Sequence, residues 1–257
     1  MSAEPCDAAR LTIAVSTIGE RLQALRGWRF DPRVQYLLLW QRPGVPPGDW
    51  PANVSLQPLD SSGVAHSRNA AIAQCRTDWL WFMDDDVALP AASITALLAT
   101  LPQQPAHALL ITSVRLPDGR PLKRRRDGQV YDRRRLMAVG TVQIVAHAGW
   151  LRRHGLRFPL RLGAGAAFPV CDEPVFLARA LRAGAHITHI DRVHVVHAEV
   201  SSGQSLARPE AVRARAIAFR EVFGFPLCLA ASAYFWLRHA RALGRRWPAL
   251  FHYGVAD

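Results

Sequence analysis

Residues 79–83, Trp-Leu-Trp-Phe-Met, are an unbroken apolar run that stops at Asp84-Asp85-Asp86. Five large apolar side chains in succession leave no face for water, so a strand built from them must be covered on both sides. Two earlier runs share this character: residues 11–15 (Leu-Thr-Ile-Ala-Val) and residues 34–40 (Val-Gln-Tyr-Leu-Leu-Leu-Trp). Residues 20–27 lie between them and read as an amphipathic helix. Strand, helix and strand in that order predict a parallel sheet. The expected fold class is therefore α/β, with a mainly parallel mixed sheet flanked by helices. In open sheets of this kind ligands bind outside the carboxyl ends of the strands, which is where the three aspartates fall.

The remaining chain extends the pattern. Residues 54–56 predict a third strand, and residues 67–75 a helix with Ser67 as N-cap. Pro90 suits the first position of a helix running to about residue 101, followed by a strand at 108–114. Residues 115–135 carry two Asp-Gly turn signals and many arginines, and read as a hairpin or mobile loop. A strand at 142–146, a short helix at 150–154 and a Gly/Ala-rich loop at 163–167 follow. A helix opens near Glu173-Pro174 and stops at Gly184, and residues 186–190 and 193–196 read as two short strands. Helices at 209–223 and 226–243 close the chain. The domain reading is a unit over 1–205, with a first half at about 10–115 and a second half at about 136–205, and a C-terminal helical appendage over 206–257.

The formal net charge is +12, which favours anionic partners. Within the arginine-rich residues 123–135 the only aromatic is Tyr131, so a stacking platform for single-stranded nucleic acid is missing and nucleic acid is not expected as a partner. An anionic acceptor such as a lipid diphosphate, or a bilayer surface, suits that segment better. The four cysteines, Cys6, Cys75, Cys171 and Cys228, are widely spaced and form no CxxC pair, so free thiols in a reducing compartment are expected. Residues 1–10 contain Glu4 and Asp7 and no apolar run, unlike a secretory signal. No stretch reaches the roughly 20 apolar residues of a membrane span. A cytoplasmic location is expected. The C-terminal helices mix Phe225, Tyr234, Leu237 and Trp247 with Arg238 and Arg241, which allows peripheral contact at the inner face of the plasma membrane.

Three adjacent carboxylates repel one another and are best tolerated beside a cation. Hard cations such as Mg²⁺ and Mn²⁺ commonly combine one or two carboxylates with substrate phosphates. Upstream, Arg68 lies near the start of a predicted helix, where a guanidinium and free backbone N–H groups can meet an anionic ligand.

The order of these pieces resembles the GT-A-type glycosyltransferases of family 2. The first strand ends in a loop, Ser16-Thr17-Ile18-Gly19-Glu20, placed like the family's nucleotide-binding loop. Ser67-Arg68-Asn69 is similar to its "ARN" helix, and Asp84-Asp85-Asp86 to its DxD metal motif. Gly163-Ala164-Gly165 and then Asp172-Glu173 resemble the later Gly-rich stretch and acidic pair, and His197 falls where the family places a metal-binding histidine. The resemblance covers about residues 10–200. It implies an inverting, metal-dependent (Mn²⁺ or Mg²⁺) transfer of a hexose-type sugar from a nucleotide diphosphate sugar to a hydroxyl on a glycan or lipid-linked acceptor, in bacterial cell-surface polysaccharide or glycolipid synthesis. It further implies Asp86, Asp84 and His197 around the metal. Ser16, Thr17, Glu20, Gln41, Arg68, Asn69, Asp84 and Asp85 would meet the nucleotide sugar. Glu173 would be the base, with Asp172 beside it. Three departures from the pattern stand out. Trp40-Gln41-Arg42-Pro43 replaces the acidic residues many relatives carry after the second strand. Cys171 replaces a common glycine, and the acidic pair reads Asp-Glu rather than Glu-Asp. Two other classes remain: a basic, non-catalytic module binding nucleic acid or membrane, and a sugar-nucleotide nucleotidyltransferase. The latter should carry a Gly-rich, lysine-bearing first loop, which residues 16–21 lack.

Overall fold

The computed structural model describes residues 10–46, 48–197, 206 and 208–257. Its sheet has seven strands among these residues: β1 (Leu11–Ile18), β2 (Gln35–Gln41), β3 (Val54–Leu59), β4 (Trp79–Asp84), β5 (Ala108–Arg115), β6 (Ile144–His147) and β7 (His186–Val196). They lie in the order β3-β2-β1-β4-β6-β5-β7. Only β6 runs antiparallel, against both β4 and β5, so six carboxyl ends collect along one edge. Helices α1 (Val64–Gln74), α2 (Ala91–Thr100), α3 (Arg133–Leu136), α4 (Ala148–Arg153), α5 (Asp172–Arg182), α6 (Pro209–Phe223) and α7 (Leu227–Leu243) accompany it. A 3-10 segment, Gly244–Phe251, follows α7.

The apolar run in β4 is divided between two cores. Leu80 and Phe82 join Leu39, Ile111 and Phe176 on one face. Trp79, Trp81 and Met83 join Ile13, Leu38 and Leu110 on the other. Alternation along a strand sends successive side chains to opposite faces, and both faces here are covered. Trp81 is wholly buried and its indole N–H donates to the Val142 carbonyl at 2.8 Å. Trp81→Ala would cost about 3–5 kcal/mol, as large-to-small changes in well-packed cores do.

The structure corrects several sequence expectations. Residues 19–27 form a 3-10 segment rather than an amphipathic α-helix. Helix α1 starts at Val64, behind Gly63 at φ 99°, so Ser67 lies inside the helix and is not its cap. Its hydroxyl instead meets Ser16 Oγ at 2.7 Å and the Val64 carbonyl at 3.0 Å. Pro90 precedes α2 as its N-cap residue rather than opening it. The two short strands expected over 186–196 are one strand. The pairing of β5 with β7 jumps from Thr112↔Ile190 to Ser113↔His194, so residues 191–193 bulge from the edge. Edge strands accommodate such bulges readily. Residues 115–135 are pinned rather than free: the N–H groups of Leu122, Gly128 and Tyr131 donate to Val114, His189 and Ile187.

Candidate active site

The elements that supply the site meet at the same edge of the sheet, strands by their carboxyl ends and helices near their N-terminal ends. Strands β1 and β4 bring Ser16, Thr17 and Asp84 to their carboxyl ends, in register at Ser16↔Asp84. Helix α1 brings Arg68 from one side and α5 opens with Asp172 and Glu173 from the other. The loop at residues 163–165 joins them: Val64 N–H donates to the Ala164 carbonyl at 2.9 Å. A side chain at Gly163 would place its Cβ 2.7 Å from Asp172 Oδ1, and one at Gly165 would come 3.0 Å from Gly63 Cα. Glycine is required at both for the close approach, and both have positive φ.

Arg68 is the hub. It is 5% exposed. Its guanidinium donates to Asp172 and lies 3.6 Å from Asp84 Oδ1 and 3.7 Å from Glu173 Oε1. It also sits 5.6 Å from the centre of the Phe158 ring, which stacks on Phe176 at 4.0 Å. Among the described residues its Nε has no hydrogen-bond partner. Burial opposes its charge, but Asp172, Asp84 and Glu173 outweigh burial and hold Arg68 above its ordinary value. One guanidinium shared among three carboxylates cannot fully satisfy them. Burial accordingly pushes the Asp172 carboxyl up to about 7, against the pull of Arg68 and with the help of Glu173. Burial likewise raises Asp84, where Arg68 pulls down and Asp86, Glu173 and Asp85 push up.

Asp85 and Asp86 part company. Asp85 turns inward, its side chain 5% exposed. It accepts from Thr17 Oγ1 at 2.7 Å and from Arg21. Burial raises it, with Thr17 and Arg21 opposing. Asp86 turns out, with 54% of its side chain exposed. One oxygen accepts from Arg21 at 3.2 Å and the other lies 3.5 Å from His197 Nε2. His197 is itself anchored, its backbone N–H donating to the Arg115 carbonyl at 3.0 Å.

The structure thus brings together Ser16, Thr17, Arg68, Asp84, Asp85, Asp86, Asp172, Glu173 and His197. Gln41 is buried and donates to the Gly63 carbonyl at 3.0 Å, supporting the entry to α1. Asn69 clamps the Phe158 backbone through both its amide atoms, at 2.8 and 2.9 Å. Glu20 is exposed on the turn after β1. Among the described residues no cluster of three or more His, Cys, Asp or Glu side chains forms a ready cage for an ion. Two contributors were not foreseen. Arg21 neutralises Asp85 and Asp86, and its only sequence signal is its place just beyond the first strand's loop. Thr141 donates to Glu173 Oε1 at 2.6 Å, from a turn that reads in sequence as the flank of a strand. Five carboxylates therefore face two arginines, an acidic basin in a strongly basic chain.

Residues 46–157 match the model of glycosyl transferase family 2, a span that includes Arg68 and all three aspartates of the turn. Over that span the chain resembles the glycosyl transferases of family 2. Its fold is the GT-A fold, shared with S. aureus TarS among solved structures. Against TarS 1–349 the TM-score is 0.58 at 13% identity, covering 94% of this chain and 83% of that one. Against TarS 1–349 in complex with UDP-GlcNAc it is 0.58 at 14% identity, covering 94% and 81%. Against the longer TarS chain it is 0.57 at 12% identity, covering 82% of this chain, which spans 39% of the TarS chain. At these identities the likeness to TarS is one of fold. No curated protein matches this chain in sequence.

Proposed function

We propose that this chain moves a sugar from a nucleoside diphosphate donor to an acceptor hydroxyl with inversion, using a divalent cation, in the building of a cell-surface polysaccharide or glycolipid. The observation that carries this reading is the convergence of Asp84, Asp172 and Glu173 on the buried guanidinium of Arg68, with Asp86 outward beside His197. The donor set at the rim suits Mg²⁺ or Mn²⁺. A half-exposed carboxylate and an imidazole 3.5 Å apart leave the remaining positions to phosphate oxygens and water. Asp86 and His197 would hold the cation, with Asp84 next to it. When bound, the cation neutralises charge on the departing nucleoside diphosphate.

The protein groups divide the remaining work. Arg21 covers Asp85 and Asp86 and would turn to the donor diphosphate once a cation takes its place on Asp86. Ser16 and Thr17 line the nucleotide end. Glu173 is the base in this reading: its side chain is 20% exposed and Thr141 fixes one oxygen, which leaves the other for the acceptor hydroxyl proton. Asp172, 2% exposed and bound to Arg68, positions the acidic pair and the guanidinium.

A panel of nucleotide sugars with Mn²⁺ tests the reading, and uridine diphosphate sugars come first because TarS 1–349 is solved with UDP-GlcNAc. At least one donor should bind and be hydrolysed, and Asp86→Ala should abolish this. Unchanged turnover in that variant would remove the cation from the reading. Glu173→Gln should keep donor affinity and lose transfer, whereas loss in Asp172→Asn alone would move the base to Asp172.

A further inference from the structure

Helix α7 is apolar nearly all round, with the sequence LCLAASAYFWLRHARAL. A helix of that kind in a globular protein is normally buried. This one is buried on one side only. Cys228, Ser232 and Leu243 are buried, and Phe235 and Trp236 pack with them against α6 and the 3-10 segment. On the opposite side Leu227, Tyr234 and Leu237, at helical spacings of seven and three residues, are 61%, 65% and 70% exposed. Phe225, just before the helix, is 76% exposed. It opens a groove shared with Arg213, Arg220 and Phe251.

The charge around this face has one sign. Between Glu221 and Asp257 the sequence contains no acidic residue, while Arg238, Arg241, Arg245 and Arg246 follow the apolar stripe. Arg238 and Arg241 are exposed and follow Leu237 on either side of a kink at His239. No described helix is long and apolar enough to cross a membrane. An apolar stripe with an aromatic at mid-length, bordered by arginines and no carboxylate, is the pattern of a helix lying in the headgroup region of an anionic bilayer.

We propose that the bare face of α7 docks this protein on an anionic lipid surface, with Phe225, Leu227, Tyr234 and Leu237 in the interface and Arg238 and Arg241 on lipid phosphates. The proposal rests on the α7 surface and stands apart from the donor chemistry. Each arginine near such a surface contributes on the order of 1 kcal/mol, so Arg238→Ser with Arg241→Ser should weaken binding roughly thirty-fold.

Sedimentation of the full chain with vesicles tests it, using phosphatidylcholine alone and mixed with phosphatidylglycerol. Binding is expected to the mixed vesicles only, to weaken in high salt, to be lost in Leu237→Glu and to fall roughly thirty-fold in the double arginine variant. Both variants change exposed residues, so donor hydrolysis should stay at the wild-type level and report intact folding. Equal binding to both vesicle types would overturn the charge basis of the proposal. No binding to either would overturn the proposal itself. So would a stable dimer in solution that Leu237→Glu dissociates, because the face would then belong to a second copy of the chain.

Discussion

Arg68 shows how much one side chain can hold. Removing it leaves Asp172 buried with its partner gone, and breaking a buried ion pair from one side costs about 3–5 kcal/mol. Arg68→Met should therefore lower the urea midpoint strongly, with little change in the slope of the transition. Asp172 itself makes stability depend on pH. Its folded value is about 7 against an ordinary 3.8. Between those values the folded protein keeps a proton that the unfolded chain has released, so this group's contribution falls as pH rises from about 4 to about 7. Asp172→Asn keeps position 172 uncharged throughout and should flatten that slope in urea melts across the same range. Cys171 gives a second handle. It adopts φ 74°, a left-handed conformation, immediately before α5, where glycine is comfortable and a β-branched residue is not. Cys171→Val should melt lower than Cys171→Gly, although valine is the better core residue. These roles differ in how plainly the sequence carries them. The acidic step after Cys171 can be read locally, and the glycine-like position of Cys171 itself is what the family resemblance implies. Arg21 cannot, because its partners Asp85 and Asp86 lie more than sixty positions away and the pairing depends on a 3-10 turn that gives no periodic signal.

The elements around the site work because backbones approach closely. Gly163 is 2.7 Å from trouble: a Cβ there would meet Asp172 Oδ1, and φ is 97°. Gly163→Ala should lower stability by about 1–3 kcal/mol. It should also move Asp172 off Arg68, so donor turnover should fall more than the melting temperature alone would suggest. Activity measured well below the melt, beside circular dichroism, separates the two effects. The strands that carry the site were legible because burial on both faces writes itself as consecutive apolar residues, as in β2 and β4. The start of α1 was not legible. Ser67 reads as a good cap, but the chain enters the helix through Gly63, which the 163–165 loop packs against from more than ninety residues away. The same holds for β7. Asp191-Arg192 separates two short strands in the sequence reading, whereas in the fold the bulge lets Asp191 accept from Ser113 at 2.8 Å and keeps the strand continuous. Local pattern predicts elements well where water and core are the only neighbours. It fails where another segment supplies the partner.

At the scale of the molecule, α6 is the member that ties the tail to α5. One side of it meets α5 and the 162–170 loop through Ala211, Ala214, Ile217 and Ala218, in a cluster with Val175, Leu162 and Phe168. The other side places Val212 and Phe219 against Cys228, Leu243 and Leu250. The chain's end returns to the same region: Ala256 joins the α5–α6 cluster, Asp257 pairs with Arg179 at 2.6 Å, and Arg220 donates to the Tyr253 carbonyl at 3.1 Å. A chain stopped after residue 226 would therefore uncover Val212 and Phe219 and lose the closing contacts on α5. Each of those two side chains contributes roughly 1.5–3 kcal/mol by burial, a large share of the 5–15 kcal/mol that typically holds a domain folded. The truncated chain should show a sharply lower urea midpoint or accumulate as insoluble protein. Donor hydrolysis should fall with it, because α5 carries Glu173. A truncation that folds, melts near the full chain and still turns over donor would show instead that α7 and the 3-10 segment are a separable appendage, with lipid docking as their only task.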